Sequence, residues 1–475
     1  MLSKHNFSVS PALARVTLGR TFVVPARDNL YLTWLLGTFV MTFAAVFFHA
    51  PWPIWIILMC LGCQTPVTAI FFLTLTQIVL IDAVPLLTGT QSFVVIWSIW
   101  NVLAMVRLEV FPALWRVMIF MLPLLGWFAL TGVTHGNQGK TIILLNATVT
   151  AIIALVEWRR VQGEQRYLIA LAIALASMMA VFPFWLMKVG IDFGGASDLI
   201  KEAMRTKAKS IRGGVERFAA TGVNFNYAGL CMNIGTTIFF SFLLYSWGRE
   251  RSFLKRFSRW VHVVPIVFSV PATLATLSRA AVLGIGMSLA SPIFVHQLGA
   301  HSRKITMYLG IGLISLCGIA IIGGLIWTVA GSDVTMSVEA MTDFEGSTDV
   351  KSARGVQFQR GFDALTGARG SPIYGNFKET GGSTHNVFLE GACFGGIPGF
   401  LMHTFVLLYP LGYFLFRRNA PKELEVFLAV YLVIMVSGIT LENGNFKILW
   451  SVWAFLVEGC HSSRVGSRPT LRSLD

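Results

Sequence analysis

Charge is scarce in this chain. Only 13% of its 475 residues are Asp, Glu, Lys or Arg, where a soluble domain carries roughly 25%. That shortage argues against a water-soluble globular protein. Cysteine is scarce too, with 6 in all. Cys60 and Cys63 make a CxxC inside an apolar segment, with no second pair and no nearby His. A structural zinc site needs four ligands in a closed shell, so metal or redox chemistry there is not expected. The other cysteines sit in apolar runs and read as small core residues. An internal repeat of the transporter type is missing. A cleavable signal peptide is not expected: the first 30 residues are polar and basic, with Lys4, Arg15, Arg20 and Arg27, and the first apolar run is long enough to span.

What the chain has instead is hydrophobic length. Hydrophobic residues make up 55% of it, mean hydropathy is +0.68, and long apolar runs recur from residue 31 to residue 460. The fold class is therefore an all-α polytopic membrane protein. Spans are expected near 31–50, 53–66, 67–86, 89–106, 109–130, 140–158, 167–188, 226–247, 261–277, 280–297, 305–329, 386–416, 423–441 and 445–460. The second and third are short enough to be a re-entrant hairpin, so the count is about 12–14, with both ends in the cytoplasm. The formal net charge of +14 records basic cytoplasmic loops and anionic partners, with no indication of nucleic acid. Every connection assigned to the inner side after residue 158 is basic, from Arg159, Arg160 and Arg166 to Arg464, Arg468 and Arg472. Short outer loops hold only Lys140 and Lys447. This asymmetry follows the positive-inside rule.

Two long outer segments run against that bias, and long loops are exempt from it. Residues 189–225 carry Lys201, Arg205, Lys207, Lys209, Arg212 and Arg217; residues 330–385 carry Lys351, Arg354, Arg360, Arg369 and Lys378. Most of these charges are solvated helical faces. Basic residues outside also suit an anionic ligand, and Arg suits bidentate contact with phosphate. Arg279, in "TLATLSRAAVLGIGMSLA", is placed at or just under the outer surface, either snorkelling from a turn or facing a cavity. On the same side, "GGSTHNVFLEGACFGGIPGF" puts His385 and Asn386 where a Gly-rich loop meets an apolar helix. Glu390 stands one turn inside that helix, and Thr384 is the expected cap. The remaining histidines, His135 and His403 among them, have no partners at metal spacing and read as loop or lining residues.

Four segments together resemble the O-antigen ligase and polymerase superfamily. "THNVFLEGACFGGIPGF" resembles its His-Asn signature, "LSRAAVLGI" its Ser-Arg-small-small segment, and "SARGVQFQRGFDALTGARGSPIYGNF" its Arg-to-Gly run, in which an Arg opens a short helix before a Pro-Ile/Leu-x-Gly turn. "RFAATGVNFNYAGL" resembles the Arg-x-x-Gly-x-x-Asn-Pro-Asn segment, with Phe225 in place of Pro and Gly222 shifted. The resemblance covers residues about 210 to 460.

It implies a GT-C-like transferase in the bacterial inner membrane with its active site facing the periplasm. The chain then divides into N-terminal transmembrane helices (1–188), a periplasmic basic loop (189–225) and transmembrane helices with the Ser-Arg hairpin (226–329). A large periplasmic catalytic loop (330–385) and C-terminal transmembrane helices with a cytoplasmic tail (386–475) follow. The donor is a glycan on undecaprenyl diphosphate, and the acceptor is a sugar hydroxyl. Arg217, Arg279 and Arg354 are the expected diphosphate ligands, since Arg can hold the leaving group's charge without a metal. His385, with an ordinary pKa near ~6.5, is the expected base. Asn386 is expected to orient His385 or the acceptor, and Glu390 to brace an Arg, fix the His tautomer, or simply lock the helix. No cofactor and no metal are expected. Membrane lipids, chain-length regulators and flippases are candidate partners. Polymerase, ligase onto lipid A-core and protein O-glycosyltransferase remain open within the enzyme class, and a lipid-linked glycan flippase outside it.

Overall fold

The computed structural model describes residues 26–48, 50–78, 89–105, 111–135, 138–179, 181, 211–212, 215–216, 225–246, 259–276, 279–299, 353–376, 378–379, 384, 386–416, 421–438 and 447–465. They are overwhelmingly helical. The first half holds α1 (Ala26–Phe47), α2 (Trp52–Gly62), α3 (Pro66–Ile78), α4 (Gly89–Met105), α5 (Phe111–His135), α6 (Gln138–Arg159) and α7 (Arg166–Met179). Then come α8 (Phe225–Ser246), α9 (Arg259–Ala275), α10 (Arg279–Gly299), α11 (Ala353–Thr366), α12 (Val387–Phe416), α13 (Lys422–Gly438) and α14 (Lys447–Val465). Two two-residue strands, β1 (Ile211–Arg212) and β2 (Val215–Glu216), pair antiparallel within the first long polar segment. The span read at 305–329 lies outside the described residues.

Among the described residues, five helices are long and apolar enough to cross a membrane: α1, α5, α6, α8 and α12. Large apolar side chains are exposed along α1, α5, α6, α12 and also α9, including Val40, Ile119, Val133, Ile142, Val264, Leu401 and Phe405, whereas α8 is largely buried. So much exposed hydrocarbon on long helices belongs against lipid. α2 and α3 have 11 and 13 residues, about 17 and 20 Å of helix, against about 30 Å of hydrocarbon. A turn at 63–65 joins them, Thr65 Oγ1 accepts from the Thr68 amide at 3.2 Å, and Pro66 takes the first position, where its missing N–H costs nothing.

The interior is built on α3, α7, α8, α13 and α14. Trp158, Phe427 and Phe455 meet ring to ring within 5.2 Å, and Trp453 donates to the Val406 carbonyl at 2.7 Å. α6 carries polar residues at both ends. Near its C-terminus, buried Glu157 accepts from Trp97 Nε1 at 2.7 Å and from Arg160 at 3.1 Å. Arg159 meets Glu458 of α14 at 2.7 Å, and Arg116 of α5 approaches the same carboxylate at 3.5 Å. Near its N-terminus stands Lys140, buried. The 17 residues from Lys140 to Glu157 span about 25 Å, close to the thickness of a bilayer core.

One expected span is not a single helix. The backbone of α12 leaves helical geometry at Gly395 (φ −143°, ψ 15°) and Gly396 (φ 61°, ψ −155°). The first leg, 387–394, has eight residues; the second, 397–416, is long enough to cross. The reading of 386–416 as one continuous span is corrected accordingly.

Candidate functional site

The site builds up around that break. Asn386 caps the first leg: its Oδ1 accepts from the amides of Phe388 (2.9 Å) and Leu389 (3.0 Å), two of the donors a helix start leaves without partners. Thr384 does not cap the helix, contrary to expectation. Its Oγ1 donates to the Asn386 carbonyl at 3.0 Å and accepts the Asn386 amide at 3.3 Å, so it locks the capping residue in place. Asn386 stands two residues beyond Thr384, directly at the helix start, and has the shorter reach to those amides.

The break frees backbone groups, and three groups at or beside it find partners outside the helix. The Gly395 carbonyl accepts from Trp127 Nε1 of α5 at 2.8 Å. The Ile397 amide donates to the Pro372 carbonyl at 2.7 Å, and the Asn376 amide to the Cys393 carbonyl at 3.0 Å. The loop 371–376, "SPIYGN", therefore grips the turn. It can do so because glycines stand at the close approaches. A Cβ on Gly396 would lie 2.5 Å from the Ile373 backbone, and one on Gly375 would lie 2.5 Å from the Cys393 carbonyl oxygen. The two legs touch through Gly391 and Gly399, where a Cβ on the latter would sit 2.7 Å from the Gly391 oxygen.

Glu390 points into this assembly, and its partner is a lysine instead of the expected arginine. Lys140, from the first turn of α6, forms an ion pair with Glu390 Oε1. Both side chains are buried, at 4% and 2% exposure. Lys140 also lies 4.9 Å above the ring of Phe394, which shares a face of the leg with Glu390 four positions earlier. Glu390 Oε2 has no hydrogen-bond partner among the described residues. Beneath the leg, His403 of the second leg packs against Gly391 and lies among Phe128 and Trp450. On the loop side, Tyr374 stacks between Trp127 (6.0 Å, 17°) and His135 (5.0 Å, 22°).

The remaining predicted residues are placed by backbone only, or not at all. Arg354 stands second in α11, which runs into the turn at 371–375. α11 packs on the first leg of α12 through Gly361, where a Cβ would come within 2.7 Å of Leu389. Arg279 is the first residue of α10. Their side chains, and the whole of Arg217 and His385, lie outside the described residues, as do Asp343, Glu345 and Asp349. The helix that Arg279 opens packs on α8. Gly229 lies against Ala281, Gly284 lies against Asn233, and Asn233 Nδ2 donates to the Ala281 carbonyl at 2.9 Å. The described parts of the segments that carry the resemblance thus come together as two pairs: 353–376 with 386–400, and 225–230 with 279–285.

Lys140, Trp127 and Tyr374 were not singled out as site residues from the sequence. Lys140 carried one usable signal, a lone cation at the head of an apolar helix on the side where Glu390 is a lone acid. The indole and phenol carried none.

Elsewhere, an apolar cavity of about 320 Å³ opens between α1, α7, α8 and α9, lined by Phe39, Met178, Phe239 and Phe268 among others. Its lining offers a place for hydrocarbon and no acid–base chemistry. No family model matches the chain, and no curated protein matches it significantly.

Proposed function

We propose that the protein is a metal-independent, inverting glycosyltransferase of the bacterial inner membrane. It moves a glycan from undecaprenyl diphosphate to a sugar hydroxyl on the periplasmic face and polymerises O-antigen or exopolysaccharide repeats. In this reading the chain crosses the membrane about 12–14 times, with 189–225 and 330–385 outside, in a GT-C-like arrangement. The observation that carries it is the interlocking of 353–376 with 386–400. Gly361 of the helix that carries Arg354 packs on Leu389 of the helix that Asn386 caps, which supports a reading in which leaving-group clamping and proton removal share one region.

The reaction assigned to the site is a single displacement. The acceptor oxygen attacks C1 of the donor sugar as the bond from C1 to the diphosphate oxygen breaks. The acceptor's proton passes to His385. Undecaprenyl diphosphate leaves with the electron pair, its charge held by Arg217, Arg279 and Arg354. Attack opposite the leaving group inverts the anomeric centre. Glu390, occupied by Lys140, is a brace in this scheme. Ligation onto lipid A-core and protein O-glycosylation use the same chemistry with other acceptors.

A second reading, a flippase for lipid-linked glycans, draws on a different observation. A helix broken inside an apolar protein beside a buried ion pair is also how transporters build binding sites. A deletion strain separates these readings. Single-repeat caps on lipid A-core mean polymerase, and full chains left on undecaprenyl diphosphate mean ligase. Loss of secreted polymer with intact lipopolysaccharide means exopolysaccharide polymerase. Lipid-linked single repeats trapped on the cytoplasmic face mean flippase, and unchanged glycans would sink both readings.

A further inference from the structure

The first leg of α12 is eight residues long, too short to hold its own place by helix cooperativity. It is held from outside at both ends. At its C-terminal end the Trp127 indole takes the Gly395 carbonyl and the 371–376 loop takes the neighbouring backbone groups. In its first turn Lys140 pairs with Glu390, four residues after the Asn386 cap and five after His385. Lys140 belongs to α6, which is anchored about 25 Å away by the Glu157, Arg159 and Glu458 network. The pair therefore ties the start of the His-Asn helix to a fixed post. Two charges this buried are costly to place and costlier to separate. Phe394, one turn further along the same face, receives the same ammonium on its ring.

We infer that Lys140 is a positioning residue of the proposed transferase site, acting through Glu390 to hold the short helix that the His-Asn pair precedes. The inference rests on the transferase reading for its catalytic consequence, while the pinning of the leg stands independently of it. A base must be held near its reacting geometry, and small misplacement in such a site costs rate far more than ground-state binding. Lys140 touches neither donor nor acceptor in this scheme. Its loss should therefore fall on kcat and leave the donor's KM nearly unchanged.

The test uses the full chain in lipid nanodiscs, with an undecaprenyl-diphosphate-linked repeat as probe. It compares Lys140→Met and Lys140→Arg with wild type by amide hydrogen exchange and by transfer kinetics. Lys140→Met should raise exchange across 386–394 by about 10-fold or more while leaving α8 as in wild type. It should lower kcat by roughly 10- to 100-fold with little change in KM, and Lys140→Arg should keep most of both properties. Wild-type exchange in 386–394 together with wild-type kcat would overturn the inference. If Lys140→Met does not fold, Glu390→Gln, nearly the same shape without the charge, takes its place. Local loosening of the leg supports the pin, and unchanged exchange and kcat overturn it. A wild-type protein that shows the exchange effect but transfers nothing from the probe would sink the transferase reading and leave the pin standing. Normal transfer with an indifferent Lys140 would do the reverse.

Discussion

Trp127 Nε1 donates to the carbonyl of Gly395 at 2.8 Å, at the point where α12 stops being helical. The two residues are 268 positions apart. The bond supplies what the helix itself would have given that carbonyl. Trp127→Phe keeps an aromatic ring near Tyr374 and removes the donor together with one ring of the indole. It should cost about 1–3 kcal/mol, the usual consequence of leaving a buried acceptor without its partner. Detergent-unfolding curves of the purified protein measure this, and a wild-type midpoint would mean that water serves the carbonyl equally well.

The break should tolerate no side chain. Gly396 has φ 61° and ψ −155°, a backbone region open essentially to glycine alone, and a Cβ there would lie 2.5 Å from the Pro372 oxygen. Gly396→Ala should cost at least about 1–3 kcal/mol from the backbone alone, with the contact adding to it. Gly412, in the second leg, has open space around its Cβ position, so Gly412→Ala should be neutral or stabilising by up to about 1 kcal/mol. Equal effects from the two variants would contradict the described turn.

The helices were legible because apolar length is written residue by residue. The break in α12 was legible in part. A continuous 30-residue helix would run about 45 Å, longer than a bilayer core needs, and "GGIPGF" places two glycines and a proline where it bends. Thr384 and Asn386 are both capping types, and their spacing alone did not say which one caps. The Lys140–Glu390 pair was not legible, because nothing local in either helix specifies a partner 250 positions away. Only the packing of α5 on α12, with α6 folded back on α5, brings the two charges together.

Asn386 can be tested for a role beyond the cap. Asn386→Ala should cost about 1 kcal/mol of stability, the usual value for a lost N-cap. Asn386→Asp keeps an acceptor oxygen in place and adds a charge favoured at a helix start, so it should recover that stability. Transfer activity then decides the rest. If Asn386→Asp is stable and fully active, capping is all that Asn386 does. If it is stable and slow, the amide also serves His385 or the acceptor.

Chelation tests the leaving-group assignment. With the diphosphate held by Arg217, Arg279 and Arg354, EDTA should leave transfer by the purified enzyme intact. A requirement for added Mg²⁺ or Mn²⁺ would shift the clamp to carboxylates, with Asp343, Glu345 and Asp349 the first to examine.

Base and clamp should separate in binding and turnover. In the proposed reaction His385 takes the acceptor's proton, so His385→Ala should bind the lipid-linked donor normally while turnover falls roughly 10²–10⁴-fold. Arg279 and Arg354 are assigned to phosphate charge present in ground and transition states alike. Arg279→Ala and Arg354→Ala should therefore weaken donor binding together with turnover, and Lys should rescue either poorly if the contact is bidentate. Arg369 provides the control. It is 60% exposed and its carboxylate contact, Asp363, lies 3.6 Å away at the surface, so Arg369→Ala should change little. Donor affinity and single-turnover rates on the purified variants give both quantities. A His385→Ala protein with near-normal turnover would end the case for that residue as base. The His-Asn pair would then be what its second member already is, the start of a short, externally pinned helix.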